Sequence, residues 1–186
     1  VLEMEPVKPG RGFVFENALR DGAIPPEFIS AIEEGVKDSM EGGVIAGYRM
    51  VDVKVALTGG TYVEGASVDV AYRIAANMAF REGAKKAEPA LLEPVMKLEI
   101  ISPDEYTGDI ISDINSRRGR IEHIDMLGSL KDIRATVPLS EVFGYATAVR
   151  SMSQGRATHT LQFSHYDLVP GNIMERLVAR MSGRIF

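Results

Sequence analysis

The order of hydrophobic periods between Met96 and Phe163 most narrows what this chain can fold into. Met96, Leu98 and Ile100 alternate with Lys97 and Glu99, the pattern of a strand with one buried face. Ser102-Pro103-Asp104-Glu105 reads as a capping box with proline at the first helical position. The helix it opens carries Ile110, Ile111 and Ile114 inward and ends at Gly119. Arg120 to Leu127 reads as a second strand, Gly128-Ser129 as a turn, and Ile133, Ala135, Val137 and Leu139 as a third strand. Ser140 is placed to cap a helix whose Val142, Tyr145, Val149 and Met152 share a face and which Gly155 closes. His159, Leu161 and Phe163 alternate as a fourth strand. This β-α-β-β-α-β order within about 75 residues predicts a ferredoxin-like antiparallel sheet with both helices on one face.

Ahead of it, Leu91-Leu92-Glu93-Pro94 reads as a connector, and the preceding residues carry their own pattern. Val1 to Glu5 already alternates in strand fashion, so the chain is expected to begin inside a domain. Pro6 to Gly12 is a turn region, followed by a short strand at Phe13 to Asn17. After Pro25-Pro26, Phe28, Ile29, Ile32, Val36 and Met40 share one helical face, and Gly42-Gly43 ends the helix. Val51, Val53, Val55 and Leu57 alternate as a strand. Ser67 then stands as the N-cap of a helix from Val68 to about Ala87, with Ala71, Tyr72, Ala75, Met78 and Ala79 inward and Arg73, Asn77, Arg81 and Lys85 outward. Ile173 to Met181 reads as a last short helix at the edge of the second unit. The predicted class is α+β with two domains, residues 1–92 and 93–186.

Composition excludes several classes. With 45% hydrophobic and 25% charged residues the chain is neither disordered nor fibrous, and it has no cysteine for disulfides, thiolate metal sites or nucleophiles. No apolar run approaches the ~18 residues that cross a bilayer, so the expectation is a cytoplasmic protein with no membrane partner. Lys and Arg number 21 against 26 Asp and Glu, a net of -5, the wrong sign for general nucleic-acid binding. Any RNA contact must be local.

Reactive constellations are sparse. No glycine precedes a lysine, so a P-loop cannot form, and Gly10-Arg11-Gly12 lacks the rest of a dinucleotide fingerprint. His123, His159 and His165 have neither metal-ligand spacing nor a carboxylate cluster beside them, so no metal site and no catalytic residue is expected. Glu33-Glu34 and Asp104-Glu105 fit a solvated helix face and a first helical turn better than an acid-base pair.

Three places suit recognition. The run Gly59, Gly60, Thr61, Tyr62, Val63, Glu64, Gly65 and Ala66 is a glycine-rich loop that lets backbone approach another surface, though an ordinary connection would read the same. Arg117 and Arg118 with Arg120 gather at a helix C-terminus, where the dipole alone favours cations. Arg150, with Gln154 one turn on and Gly155-Arg156 after it, offers donors to a phosphate or base edge; a solvated helix end is the alternative.

Here the residues resemble the C-terminal part of elongation factor G, a translational GTPase. The resemblance is carried by Leu91-Leu92-Glu93-Pro94-Val95-Met96-Lys97, Ser116-Arg117-Arg118-Gly119, Val137-Pro138-Leu139-Ser140-Glu141-Val142-Phe143-Gly144-Tyr145-Ala146-Thr147, and Arg150-Ser151 with Gln154-Gly155-Arg156. Gly43 to Tyr48, Val51 to Val53 and Ala76 to Lys86 extend it through the first half. The resemblance implies that residues 1–92 are most of domain IV and residues 93–186 are domain V. It further implies that Gly59 to Ala66 is a tip loop of a wedge entering the ribosomal decoding site behind tRNA and mRNA. Arg150, Ser151 and Gln154 match positions facing the sarcin–ricin loop, and Arg117 and Arg118 match a family motif of unassigned contact. GTP and magnesium are expected in an N-terminal domain outside this chain, no cofactor within it, and a monomer is expected. Where the family typically has Tyr-His at the tip, this chain has Tyr62-Val63, which suggests a second-type paralogue. Recycling or ribosomal-protection factors are the neighbouring alternatives. A ferredoxin-like regulatory module would instead predict a dimer with a ligand pocket. A small metal-dependent enzyme is the remaining class, with few ligands to support it.

Overall fold

A computed structural model describes residues 1–20, 22–65 and 67–181. The described residues divide into two compact units, Val1–Ala90 with residues 172–181, and Leu91–Gly171. The division falls at the start of the last helix, Gly171–Met181, after its first residue.

In the first unit, β1 (Leu2–Pro6), β2 (Val14–Asn17), α1 (Ile29–Gly42), β3 (Val53–Leu57) and α2 (Asp69–Lys86) follow in order. β3 is central, antiparallel to β1 with Leu2 opposite Leu57, and parallel to β2 with Val14 opposite Lys54. Val55 and Leu57 face the two helices and bury against Ile32, Val36, Met40, Ala76, Phe80 and Ala84. The alternation beginning at Val51 predicts a longer strand than forms. Asp52 takes a left-handed φ of 58° and its carboxylate accepts the amides of Gly10 at 3.0 Å and Gly12 at 2.8 Å, so the chain turns there before pairing begins.

The inward face of α2 is also one residue away from its sequence expectation. Ala76, Phe80 and Ala84 are buried with Tyr72 beside them, while Met78 is 66% exposed and Ala71, Ala75 and Ala79 face solvent. An alanine-rich helix has several weakly apolar faces, and packing chose the one carrying phenylalanine. The polar residues settle the rotation: Arg73 pairs with Asp38 at 2.7 Å and Asn77 donates to the Gly35 carbonyl at 3.3 Å, both across α1. Ser67 is not the N-cap of α2, since Val68 holds that position and no side chain caps the helix.

The second unit runs β4 (Leu92–Pro103), α3 (Thr107–Ser116), β5 (Arg120–Leu127), β6 (Leu130–Pro138), α4 (Tyr145–Met152) and β7 (Thr158–Leu168). Its sheet has the order β5-β6-β4-β7 with antiparallel pairs throughout, the split βαβ arrangement. Leu98 and Ile100, Ile133, Ala135 and Val137, Ile110 and Ile114, and Tyr145 and Val149 form its core. The expected connector at Leu92 to Pro94 is instead the start of β4, opposite Leu168 to Tyr166. Pro94 is accommodated because pairing with β6 begins only at Val95. A register shift between Val95 and Met96 follows, and beyond it Phe163 is 56% exposed.

Neither expected serine cap forms. Ser102 is buried and its hydroxyl donates to the Pro103 carbonyl at 3.2 Å, and a 3-10 turn at Asp104–Tyr106 precedes α3. Ser140, like Leu139 ahead of it, lies in another 3-10 turn, Leu139–Glu141. Gly144 opens α4 with φ 75°. Proline immediately before each 3-10 turn fixes the entry backbone, which leaves the capping role vacant.

Gly35 marks where α1 and α2 touch, since an added Cβ would lie 2.2 Å from the Arg73 carbonyl oxygen. Gly35→Ala is expected to lower stability by about 1–3 kcal/mol through forced helix separation. Gly108→Ala, where a Cβ meets nothing within 4 Å, should raise it by about 0.4–1 kcal/mol. Denaturant titration of both variants checks the contrast.

Candidate nucleic-acid interface

The loop after β3 is exposed and also anchored. From Gly60 to Gly65 every residue faces solvent, with Tyr62 at 41% and Val63 at 56%. Its base is held by α2: the Tyr72 hydroxyl donates to the Thr61 carbonyl at 2.9 Å, and its ring lies 4.9 Å from Phe28, which in turn lies 6.0 Å from Tyr62. The Val63 amide donates to Ser67 Oγ at 3.0 Å and the Ser67 amide returns a bond to the Val63 carbonyl at 3.0 Å. Gly65 turns with φ 72°. Ala66 lies outside the described residues. The expectation assigned Ser67 and Tyr72 to capping and to the core, and it missed that both brace this loop. A tyrosine five residues after a serine at the foot of a glycine loop was the available signal.

The arginine pair is committed within the second unit. Arg117 pairs with Asp113 at 2.7 Å, donates to the Glu141 carbonyl at 2.8 Å and lies over the Tyr145 ring at 5.2 Å. Arg118, with φ 58°, forks onto Glu93 at 2.7 and 2.9 Å and reaches Glu141 at 3.1 Å and Ser140 Oγ at 3.2 Å. Those hydrogen bonds, Glu93 first, hold its guanidinium well above the usual arginine range, against partial burial.

Arg150, Ser151 and Gln154 are placed differently. All three are exposed, on α4 and the turn after it, and Arg150 has no ion pair among the described residues. The turn is bonded back to the helix: Gln154 takes φ 51° and Gly155 φ 78°, the Gly155 amide donates to the Arg150 carbonyl at 2.8 Å, and buried Ser153 donates to the Val149 carbonyl at 2.6 Å. Arg156 is drawn to Glu105 at 2.5 Å.

Two family models match in succession, elongation factor G domain IV over residues 1–88 and the elongation factor G C-terminus over residues 90–177. Elongation factor G of Aquifex pyrophilus is 48% identical over 185 residues, 99% of this chain and 26% of that protein. The chain belongs to the elongation factor G family. A crystal structure of a Thermus thermophilus protein superposes with a TM-score of 0.86 at 38% identity, covering 98% of this chain and 27% of the other. The chain thus spans about a quarter of the length of these relatives.

Within this elongation factor G chain the histidines are scattered: His159 packs edge-on to Tyr145 at 5.5 Å, His165 meets Ser164 Oγ at 3.0 Å, and His123 lies on β5. Among the described residues no three metal-ligating side chains converge, and no helix is long and apolar enough to cross a membrane.

Two tyrosines give tests. Tyr72→Phe removes the bond to Thr61, so amides of residues 60–65 should exchange faster with deuterium while those of β3 stay unchanged. The Tyr145 hydroxyl is buried without a hydrogen-bond partner, and burial, then the Asp113 carboxylate, raise its pKa against the opposing pull of Arg117. The native state therefore keeps this proton to higher pH than the unfolded state. The associated stability is complete below about pH 10 and is lost as pH rises further. Tyr145→Phe should gain up to about 1 kcal/mol at pH 7 and flatten the alkaline loss in denaturant titrations.

Proposed function

We propose that this chain is the ribosome-engaging C-terminal portion of an elongation factor G-type translational GTPase, and that it promotes tRNA–mRNA translocation by steric insertion into the decoding site. The observation that carries the proposal is a loop at residues 60–65 that is exposed, glycine-rich and braced at its base by Tyr72, Ser67 and Phe28. A wedge needs a shape that survives contact, and a loop tied to a helix at its base supplies one. The loop's only charge is Glu64, so it enters by fit and backbone contact, with no phosphate neutralisation. Arg150, Ser151 and Gln154 face the sarcin–ricin loop of the large-subunit RNA, while Arg117 and Arg118 hold the second unit together. GTP and magnesium belong to the N-terminal GTPase domain of the whole factor, which acts as a cytoplasmic monomer.

Val63 presents an apolar side chain where the family typically has histidine, so the native tip engages the tRNA–mRNA junction without an imidazole. The complete factor should cosediment with ribosomes only with a non-hydrolysable GTP analogue present; nucleotide-independent or absent association would overturn the proposal. Val63→His should then accelerate single-round translocation, and an unchanged rate would remove the special role of this position. If the native factor splits ribosomes with a recycling partner but does not translocate, the recycling alternative takes its place.

A further inference from the structure

The 25 residues from Val142 to Tyr166 contain no aspartate or glutamate, in a chain where 26 of 186 residues are acidic. This run holds α4 with its exposed Arg150, most of β7, and three exposed aromatics, of which Phe163 and Tyr166 pack on each other on β7 and Phe143 stands alone before α4. Phe143 is 76% exposed, more than any other aromatic side chain among the described residues. It is nevertheless fixed in place, because Val142 before it and Tyr145 after it are buried at 9% and 1%, and Gly144 between them turns with φ 75°. A ring held out from a clamped backbone loses little conformational entropy when something covers it. The solvent side of α4 that follows continues through Thr147, Arg150 and Ser151 to Gln154, with no acidic group along it. Of the carboxylates that border this run, Glu141 before it pairs with Arg118 and Glu105 with Arg156, while Asp167, at the far end on β7, accepts the Leu168 amide.

We infer that Phe143 is a stacking platform for an unpaired base of folded RNA, with Arg150 and Gln154 taking the adjacent phosphate or base edge. An apolar protein pocket would fit the ring equally well, but a helix side without acids and with an unpaired arginine favours a polyanion over a protein whose surface carries mixed charge. The inference rests on the ribosome-binding function proposed above and deepens it by naming the nucleotide feature that this end of α4 reads.

The test measures binding of the complete factor to large ribosomal subunits, with a non-hydrolysable GTP analogue, as a function of salt. Phe143→Leu should weaken binding about tenfold with an unchanged salt slope, whereas Phe143→Tyr should keep it within about twofold because the flat ring is retained. Arg150→Gln should reduce the salt slope by about 1. Circular dichroism confirms folding, which substitution of so exposed a side chain should preserve. If the native factor binds and Phe143→Leu binds equally well, the stacking role is overturned and the function above stands. If leucine preserves binding but Phe143→Ala loses it, the ring sits in a protein pocket, which also overturns the stacking role. If the native factor shows no nucleotide-dependent binding, the function itself fails.

Discussion

Three stretches of the second unit meet at one guanidinium. Arg118 is set in a left-handed conformation where α3 ends, and from there it holds Glu93 at the start of β4 and Glu141 in the 3-10 turn before α4. The Glu93 contact is a two-toothed fork on a carboxylate only 13% exposed, the geometry in which an ion pair contributes more than it does at an open surface. Arg117 adds a second tether through Asp113 and the Tyr145 ring. Together they fix where α4 begins, and with it the direction in which Phe143, Arg150 and Gln154 are displayed.

The first unit depends on close backbone approach. Glycine at position 35 lets α1 and α2 come together, and Asn77 and Arg73 close the seam with bonds back to Gly35 and Asp38. That seam sets the rotation of α2, which puts Phe80 in the core and Tyr72 beneath the loop. The anchoring of the exposed loop is thus inherited from the way α2 packs on α1. Its cost is an uncovered apolar stripe, with Val70, Ile74 and Met78 at 64%, 55% and 66% exposure.

A net charge of -5 gives the chain no broad attraction to a polyanion, and the places where local acids are absent or paired are small patches. Arginines of similar sequence appearance divide into two roles: Arg117 and Arg118 face carboxylates and stay within the fold, while Arg150 has no such partner among the described residues and remains available.

Element order, strand alternation and helix termini with glycine were legible in the residues because burial on one face imposes a period that survives in a single sequence. The ferredoxin-like order from β4 to β7 and the buried positions of α1 follow from that period. The rotation of α2 was not legible, because alanine suits either side and only contact with α1 separates Ala76 from Ala75. The serine caps were not legible either, since the Ser67 hydroxyl accepts from the Val63 amide in the loop before α2 and the Ser140 hydroxyl accepts from Arg118. The Leu92–Pro94 segment became strand only because β7 reaches back to pair with it. Residue type and spacing determined which segments could be helix or strand. Which face turned inward, and that Arg117 and Arg118 are held by carboxylates, was decided by the folded backbone, because hydrogen bonds and ion pairs depend on distances that only it sets.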